Sequence, residues 1–526
     1  MLFPCTLAIF GPLDCVIVAA YFLLVILVGY AVARKDTAAG EFFLGGRNLP
    51  TWAIAFSLVA TMLSTVTFVS VPDTAFAGDI SYLILNLGGF IATVIVAFLF
   101  VPRLYHAGTV TIYGFLANRF GEPARLAVSS VFIFGRMLSS GARLFVAAIP
   151  LCLLMFGAKA PTFPEMALAI LLIGAVGTAY AVKGGVRAVV WVDTIQLAIV
   201  VGTAIISALF LMQKIGLSLP EIFHVLAQPT ADGGGPGKLH LLDWSRDPAK
   251  PYTFWTAIFG NTFLMIAALG VDHDLAQRFL ISKSHTKGAL SVIASQFISI
   301  IVVSMFLFLG LLLYIFYRRP DIVGVAHQAT ENGSSIYPWF LLHELPTGLA
   351  GLSIAGFFAV AQGSLDSAMN ALASSIVADV YIPLKSSYSP GFSRDLPRAP
   401  KRTVAAVGAS LCLFALLCAW TYDPQNRTLL DFVLGLMSFA YTGMLGVFLT
   451  ALFTKRGNST SVFAALITGA VTVALLQDRA VEAWMPPLLG TTQHIAWPWW
   501  MTVGTTLSFL VCVAGPPKRS LGSPPK

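Results

Sequence analysis

Thirteen apolar runs punctuate this chain, each long enough to cross the roughly 30 Å hydrocarbon layer of a bilayer as a helix of about 20 residues. They fall at 13–33, 51–71, 82–104, 125–156, 163–182, 188–213, 253–271, 288–317, 346–380, 403–422, 429–453, 460–477 and 497–515. Hydrocarbon offers backbone groups no hydrogen-bond partners, so runs of this length must be helices. The chain therefore reads as an all-α polytopic membrane protein, a single transmembrane domain over 1–526 embedded in a lipid bilayer. Composition agrees: 57% of the residues are hydrophobic and 11% are charged, against about 25% charged in a soluble domain. The formal charge of +8 does not mark a nucleic-acid binder, because Lys and Arg sit in short loops rather than on one face.

Those loops sort by charge. One set holds Arg34, Lys35, Arg47, Arg103, Arg119, Arg125, Lys183, Arg187, Arg278, Lys283 and Lys287. It continues with Lys385, Arg394, Arg398, Lys401, Arg402, Lys455, Arg456, Lys518, Arg519 and Lys526. These are 21 of the 32 basic residues; the opposite loops hold nine, and Arg136 and Arg143 lie within a span. By the positive-inside rule the richer set is cytoplasmic. An odd number of spans then puts the N-terminus outside and the C-terminus inside a cell membrane, plasma or inner. The first run follows an uncharged N-terminus without a convincing cleavage pattern and reads as a retained span.

Several features exclude other chemistries. The six cysteines lie mostly in apolar runs without zinc or redox spacing. Two outer loops, near 214–252 and 318–345, are rich in Gly, Pro and polar residues and read as surface caps. The first contains Gly233-Gly234-Gly235-Pro236-Gly237-Lys238, but Leu239 stands where a phosphate loop needs a hydroxyl and no strand precedes it. Asn332-Gly333-Ser334 and Asn426-Arg427-Thr428 match glycosylation acceptors, a tripeptide too common to carry weight.

Polar residues inside spans locate the chemistry. An intact helix uses its own carbonyls, so a span that binds an ion has to break. The run Ser57 to Pro72 clusters Ser57, Thr61, Ser64, Thr65, Thr67 and Ser70 and ends on a proline. It reads either as such a break or as a helix whose hydroxyls bond back to their own carbonyls and which Pro72 ends. In the ninth span, Gln362-Gly363-Ser364-Leu365-Asp366-Ser367-Ala368-Met369-Asn370 sets a carboxylate among hydroxyls in an apolar segment. An intramembrane carboxylate lines a pathway or is paired, with a cation, an Arg or a proton. Asp193, at the start of the sixth span, is by position alone as consistent with simple solvation.

At these residues the chain resembles the sodium:solute symporter family. Glu41-Phe42-Phe43-Leu44-Gly45-Gly46-Arg47-Asn48-Leu49 is similar to the family's stretch before its broken helix. Gly184-Gly185-Val186-Arg187-Ala188-Val189-Val190-Trp191-Val192-Asp193-Thr194-Ile195-Gln196 resembles its best-known signature. Asp272-His273-Asp274-Leu275-Ala276-Gln277-Arg278 and the stretch from Asn370 to Tyr381 add to the likeness, which covers nearly the whole chain. The resemblance implies a leucine-transporter-type fold of two inverted five-helix repeats, 51–213 and 253–453, each beginning in a broken helix. It implies a main sodium site at Ala60, Leu63, Val360, Gly363 and Ser364. Many members carry a hydroxyl residue where this chain has Gly363, so one ligand is lost. A second cation site of some members falls on Asp193, Asp366 and Ser367, with Asp366 in place of a neutral hydroxyl. That carboxylate would strengthen the cation field or would titrate and couple to protons instead.

For the solute, the resemblance points to Thr65, Thr67, Phe68 and Met265. The polar residues that grip hexoses in the sugar carriers are not matched by Thr67 or Met265, and Ser64 to Pro72 looks more like the monocarboxylate, vitamin and iodide branch. A carboxylate or other anion is the expected class, with Arg136 and Arg143 able to attract it or to pair with Asp. The expected protein is thus a sodium-coupled symporter, monomeric in function, moving a small organic solute into the cell by alternating access. Proton coupling is the alternative. A channel or sensor and a membrane-embedded enzyme rank lower, for lack of a filter loop, a metal-binding His cluster or a nucleophile–base pair.

Overall fold

Each of the thirteen apolar segments is helical in the computed structural model, which describes residues 11–33, 39–156, 162–229, 237–325, 336–388, 399–421, 428–489 and 494–517. Gly233 to Pro236, Asn332 to Ser334, Asn426, Arg427 and the basic residues Arg34, Lys35, Arg394, Arg398, Lys518, Arg519 and Lys526 lie outside the described residues. The helices that matter here are α1 (Pro12–Val32), α2 (Thr51–Met62), α3 (Thr65–Ala77), α4 (Ser81–His106) and α5 (Glu122–Phe156). They continue with α6 (Phe163–Ile215), α7 (Thr256–Gly270), α8 (His273–Leu280), α9 (His285–Arg318) and α10 (Leu349–Ser375). The chain then adds α11 (Ala399–Thr421), α12 (Thr428–Phe453), α13 (Ser459–Leu476) and α14 (Trp497–Ala514). Among the described residues nine helices are long and apolar enough to cross a membrane, or ten if the bent pair α2 and α3 counts as one span.

Helix α6 holds two of the expected spans. Its 53 residues would extend about 80 Å if straight, far more than a bilayer needs. At Gly185 the backbone swings to φ 56°, ψ −152° and reverses. The packing shows the reversal. Asp14 lies by Gly351 and Tyr21 by Gln362, so α10 runs alongside α1. Gly29 packs on Tyr180 and Ala33 on Gly184, so the first leg of α6 also runs with α1. Thr203 bonds the Leu352 carbonyl while Gln196 lies by Gly363, so the second leg runs against them. Only glycine suits this corner: a Cβ on Gly185 would stand 2.6 Å from the Phe42 carbonyl oxygen and 3.1 Å from its ring.

Helix α10 is the axis of the molecule, with every residue from Ser353 to Ser375 buried. A helix enclosed on all sides needs small residues for neighbours to approach. Gly351 meets α1 at Asp14, Gly356 meets α6 at Thr203, and Gly363 meets α2 at Ala60. The segment expected to stop at Pro72 does not stop there. Although Pro72 gives no N–H to the ladder, α3 runs on to Ala77. Lys238, from the long loop after α6, is buried and donates to the carbonyls of Phe76 at 2.9 Å and Gly78 at 2.7 Å. It thereby caps the helix C-terminus with the charge its dipole favours.

The loops with more basic residues share one end of the bundle. Arg47 lies over the Tyr105 ring, the Tyr105 hydroxyl donates to the Ser282 carbonyl, and Arg119 donates to the carbonyls of Thr454 and Arg456. Arg278 departs from that group, because it lies wholly buried in the core. Replacing Gly185 by Ala is expected to destabilise the fold by about 1–3 kcal/mol, through a left-handed backbone and a collision with Phe42. Thermal unfolding of the detergent-solubilised variant checks this, and an unchanged midpoint contradicts it.

Candidate functional site

The break between α2 and α3 lies at Leu63 and Ser64, both extended (φ −67°, ψ 127° and φ −120°, ψ 163°). The amide of Leu63 donates to the Val59 carbonyl at 2.9 Å. The later carbonyls of α2, Ala60 among them, lose the donors an unbroken helix would supply. The Ser64 hydroxyl accepts from the Thr67 amide at 3.2 Å and so caps α3. The clustered hydroxyls of this run thus serve the break, and the two halves are bent by 66°.

Gly363 of α10 faces that break. The Ala60 carbonyl oxygen lies 3.6 Å from the point a Cβ of Gly363 would occupy, Gln196 Oε1 lies 2.9 Å from it, and Asp193 Oδ1 lies 3.6 Å from it. Ala60, Leu63, Val360 and Ser364 are all buried. The structure therefore brings the Ala60 and Gly363 positions together and adds Asp193 and Gln196 from α6 to the same point.

Beside it runs a buried charge network. The second broken helix parts at Val271 and Asp272, where the Asp272 side chain accepts from the Asp274 amide and caps α8. From sequence alone, Asp272 to Arg278 is expected outside the spans, with Arg278 among the loop cations. Instead all eight residues of α8 are buried, Arg278 completely. A polar octapeptide can lie in the core because its charges are paired there. The Arg278 guanidinium donates to Ser57 Oγ at 2.9 Å and Ser367 Oγ at 2.6 Å and lies 3.4 Å from Asp193 Oδ2. Ser57 Oγ donates to the same Asp193 oxygen at 2.5 Å, and Ser367 Oγ donates to Asp274. Arg136 pairs with Asp272 at 3.1 Å and with Asp274, and the Tyr441 hydroxyl donates to Asp272 at 2.5 Å.

Of the three positions expected to form a second cation site, Asp193 and Ser367 meet through Arg278. Asp366 turns away, accepting from the Tyr180 hydroxyl and from the Ser367 amide at 2.8 Å. Reasoning from sequence missed Ser57, Thr61, Tyr180, Asp272, Asp274 and Arg278 as members of this cluster. The available signal was Arg136, a cation inside a span that required acidic partners from somewhere else in the chain.

The solute candidates divide. Phe68 is buried in a ring cluster with Phe306 and Tyr337, each 5.1 Å away, and Phe357 at 5.8 Å. Thr65, at the start of α3, is buried, and Thr67 is half-buried beside Ser64. Met265 is half-buried on α7. Arg143 lies two turns along α5 from Arg136, on the same face by helical spacing. It is half-buried and makes no ion pair or hydrogen bond among the described residues. Between the two arginines, the buried hydroxyls of Ser139 and Ser140 have no hydrogen-bond partner among the described residues.

A sequence model of the sodium:solute symporter family matches residues 42–469. The chain is 27% identical over 472 residues to the sodium/sialic acid symporter SiaT of Proteus mirabilis, covering 88% of this chain and 89% of that one. It is 26% identical over 436 residues to the human sodium/iodide cotransporter, covering 82% of this chain and 64% of the other. It is 25% identical over 521 residues to the human sodium-coupled monocarboxylate transporter 2, covering 97% and 78%. In fold it is similar to a substrate-bound, outward-open Na+-coupled sialic acid symporter, with a TM-score of 0.80 at 23% identity over 97% of this chain and 99% of that one. It is also similar to the nucleobase-cation-symport transporter Mhp1, with a TM-score of 0.55 at 15% identity over 92% and 95%. A family match over most of the length, a shared polytopic helical fold and a broken helix facing a buried oxygen cluster agree: this chain belongs to the sodium:solute symporter family, multi-pass membrane proteins that couple a small solute to sodium as the co-transported ion.

Proposed function

We propose that the solute is a small organic carboxylate, or a comparable organic anion, carried into the cell by alternating access. One observation supports this reading above the others: Arg143 is a half-buried cation in a membrane helix, without an ion-pair partner among the described residues, beside two unpartnered hydroxyls. A guanidinium within a span is costly unless something anionic meets it. Arg136, the other candidate, already has two carboxylates, which leaves Arg143 for the solute. Thr65 and Thr67, just past the break, are proposed to complete its polar surroundings, with Phe68 and Met265 as apolar neighbours.

Sodium in this reading binds where α2 breaks, held by the carbonyls of Ala60, Leu63 and Val360 and by the hydroxyl of Ser364 beside Gly363. Hydroxyl and carbonyl oxygens are the hard ligands an alkali cation takes. Charge supports a cation here: the buried Asp193 carboxylate has its Oδ1 beside Gly363, near the Ala60 carbonyl oxygen, and a negative charge there favours a cation. The repeats 51–213 and 253–453 would rock about this site, a single chain forming the whole pathway. The end carrying Lys283, Lys401 and Lys455 is assigned to the cytoplasm from its excess of basic residues.

Uptake of labelled monocarboxylates, sialic acid, amino acids and neutral sugars into proteoliposomes, with and without a sodium gradient, tests the class. Sodium-driven uptake of a neutral sugar but of no acid would overturn it. Arg143→Gln is expected to raise KM for the acid about 10- to 150-fold, the loss of a hydrogen bond to a charged group. A wild-type KM in that variant removes Arg143 from the solute. Ser364→Ala is expected to weaken apparent sodium affinity by about 5- to 150-fold, and an unchanged sodium dependence removes that hydroxyl from the ion site. A single cysteine at Lys283 should resist an impermeant external thiol reagent while one at Arg246 reacts, and the reverse pattern inverts the orientation.

A further inference from the structure

We infer that Lys238 is a latch between the two proposed repeats, a positioning residue whose ammonium holds the molecule closed on the side away from the basic loops. The inference rests on alternating access as proposed above, not on the class of solute. Lys238 lies in the loop that joins the repeats, and its partners belong to both. Its ammonium donates to the carbonyls of Phe76 and Gly78 at the end of α3, in the first repeat. It also lies 4.2 Å from the centre of the Tyr314 ring on α9, in the second. The loop itself is anchored elsewhere. The Lys238 amide donates at 2.8 Å to the Leu226 carbonyl of the short helix Leu219–Ala227 that follows α6. Gly237 lies so close to that helix that a Cβ would stand 2.5 Å from the Ala227 carbonyl oxygen. His240 places Nδ1 3.4 Å from Asp79 Oδ2, in the turn between α3 and α4.

The arrangement that Lys238 holds is a closed one. Beyond the break at Leu63, Phe68 of α3 is buried against Phe306 of α9, Phe357 of α10 and Tyr337 of the loop helix Ile336–His343. Rings from the first repeat and from the second thus fill the space between α3, α9 and α10. Opening this side has to part Phe68 from the rings around it, and a shift of α3 carries the Phe76 and Gly78 carbonyls with it.

Two costs oppose that movement. The ammonium loses its acceptors while still in a buried place, and carbonyls at a helix end lose their donor. Lys238 is 5% exposed, so water cannot replace those partners unless the side chain leaves its site. Contacts made in one arrangement and lost in the other bias the equilibrium toward the first. Lys238 therefore sets how readily this side opens, although it lies at the far end of α3 from the break.

The test uses the purified full-length protein in lipid nanodiscs, with a cysteine at Ser353 as its only thiol. Ser353 is buried on α10, one turn beyond Phe357 on the same face, so a thiol there reacts only when the rings part. The readout is its rate of reaction with a small methanethiosulfonate, in sodium chloride and in potassium chloride. Lys238→Met keeps the bulk of the stem and removes the charge and the donors. It is expected to speed the reaction about tenfold or more, the scale of losing a hydrogen bond to a charged group. Lys238→Arg keeps charge and donors and should stay within about threefold of wild type. The native Cys512, buried on α14 outside both repeats, is the control thiol in a parallel protein and should react no faster in Lys238→Met. An equal acceleration at Cys512 means general loosening and overturns the latch. A wild-type rate at position 353 in Lys238→Met, where sodium alters that rate in the parent, overturns the latch and leaves alternating access standing. If neither sodium nor Lys238→Met alters the rate, this side does not open at Ser353 and both readings fall. Should Lys238→Met not fold, Tyr314→Leu decides: it removes the ring beneath the ammonium, so the reaction should speed about threefold or more, and a wild-type rate overturns the inference.

Discussion

The buried guanidinium of Arg278 is the interaction on which the centre of this molecule depends. A lone cation in a low-dielectric interior is prohibitively expensive, so its donors must be met by oxygens fixed in place. Those oxygens come from Ser57 on α2, Asp193 on α6 and Ser367 on α10, with Arg278 itself on α8. Four helices distant in sequence are thereby held at one point. Arg136 does the same for α5, α8 and α12 through Asp272, Asp274 and Tyr441. The hydrogen bond from Ser367 to Asp274 joins the two clusters, so the scaffold helix α5 and the broken helix α2 belong to one electrostatic unit.

That unit makes the breaks tolerable. Parting α2 from α3 and α7 from α8 leaves polar backbone at depths where lipid offers no partner, and irregular backbone survives there only when protein encloses it. The all-round burial of α10, from Ser353 to Ser375, supplies that enclosure, and its glycines let neighbouring helices come close enough to use it. In the proposed cycle the ion joins helices from both halves. Its binding energy then favours one arrangement of those halves over another, which is the thermodynamic requirement for coupling ion to solute.

The membrane class and the span positions were legible in the sequence because each is a local property, while the hydroxyl-rich run from Ser57 to Pro72 allowed either a break or a helix whose hydroxyls bond back to it. Apolar length decides whether a segment crosses, and Ser64 beside Leu63 marks the break through capping chemistry that acts over three residues. Even the corner at Gly185 was written locally, in paired glycines between two apolar runs. Pro72 was misleading because the fate of a helix past a proline depends on what satisfies its carbonyls, and here that includes Lys238 from a loop 160 residues further on.

What only the tertiary structure decided is where the charges go. The stretch from Asp272 to Arg278 reads as polar and therefore as loop, since local hydropathy cannot see Arg136 or Asp193 waiting in other helices. The family resemblance grouped Asp366, Asp193 and Ser367 as one set. The fold instead gives Asp366 to Tyr180 and places Arg278 between the other two. Spans are set by the free energy of moving each segment into lipid, a sum over neighbouring residues. Sites are set by pairings between segments, which exist only once the chain has brought them together.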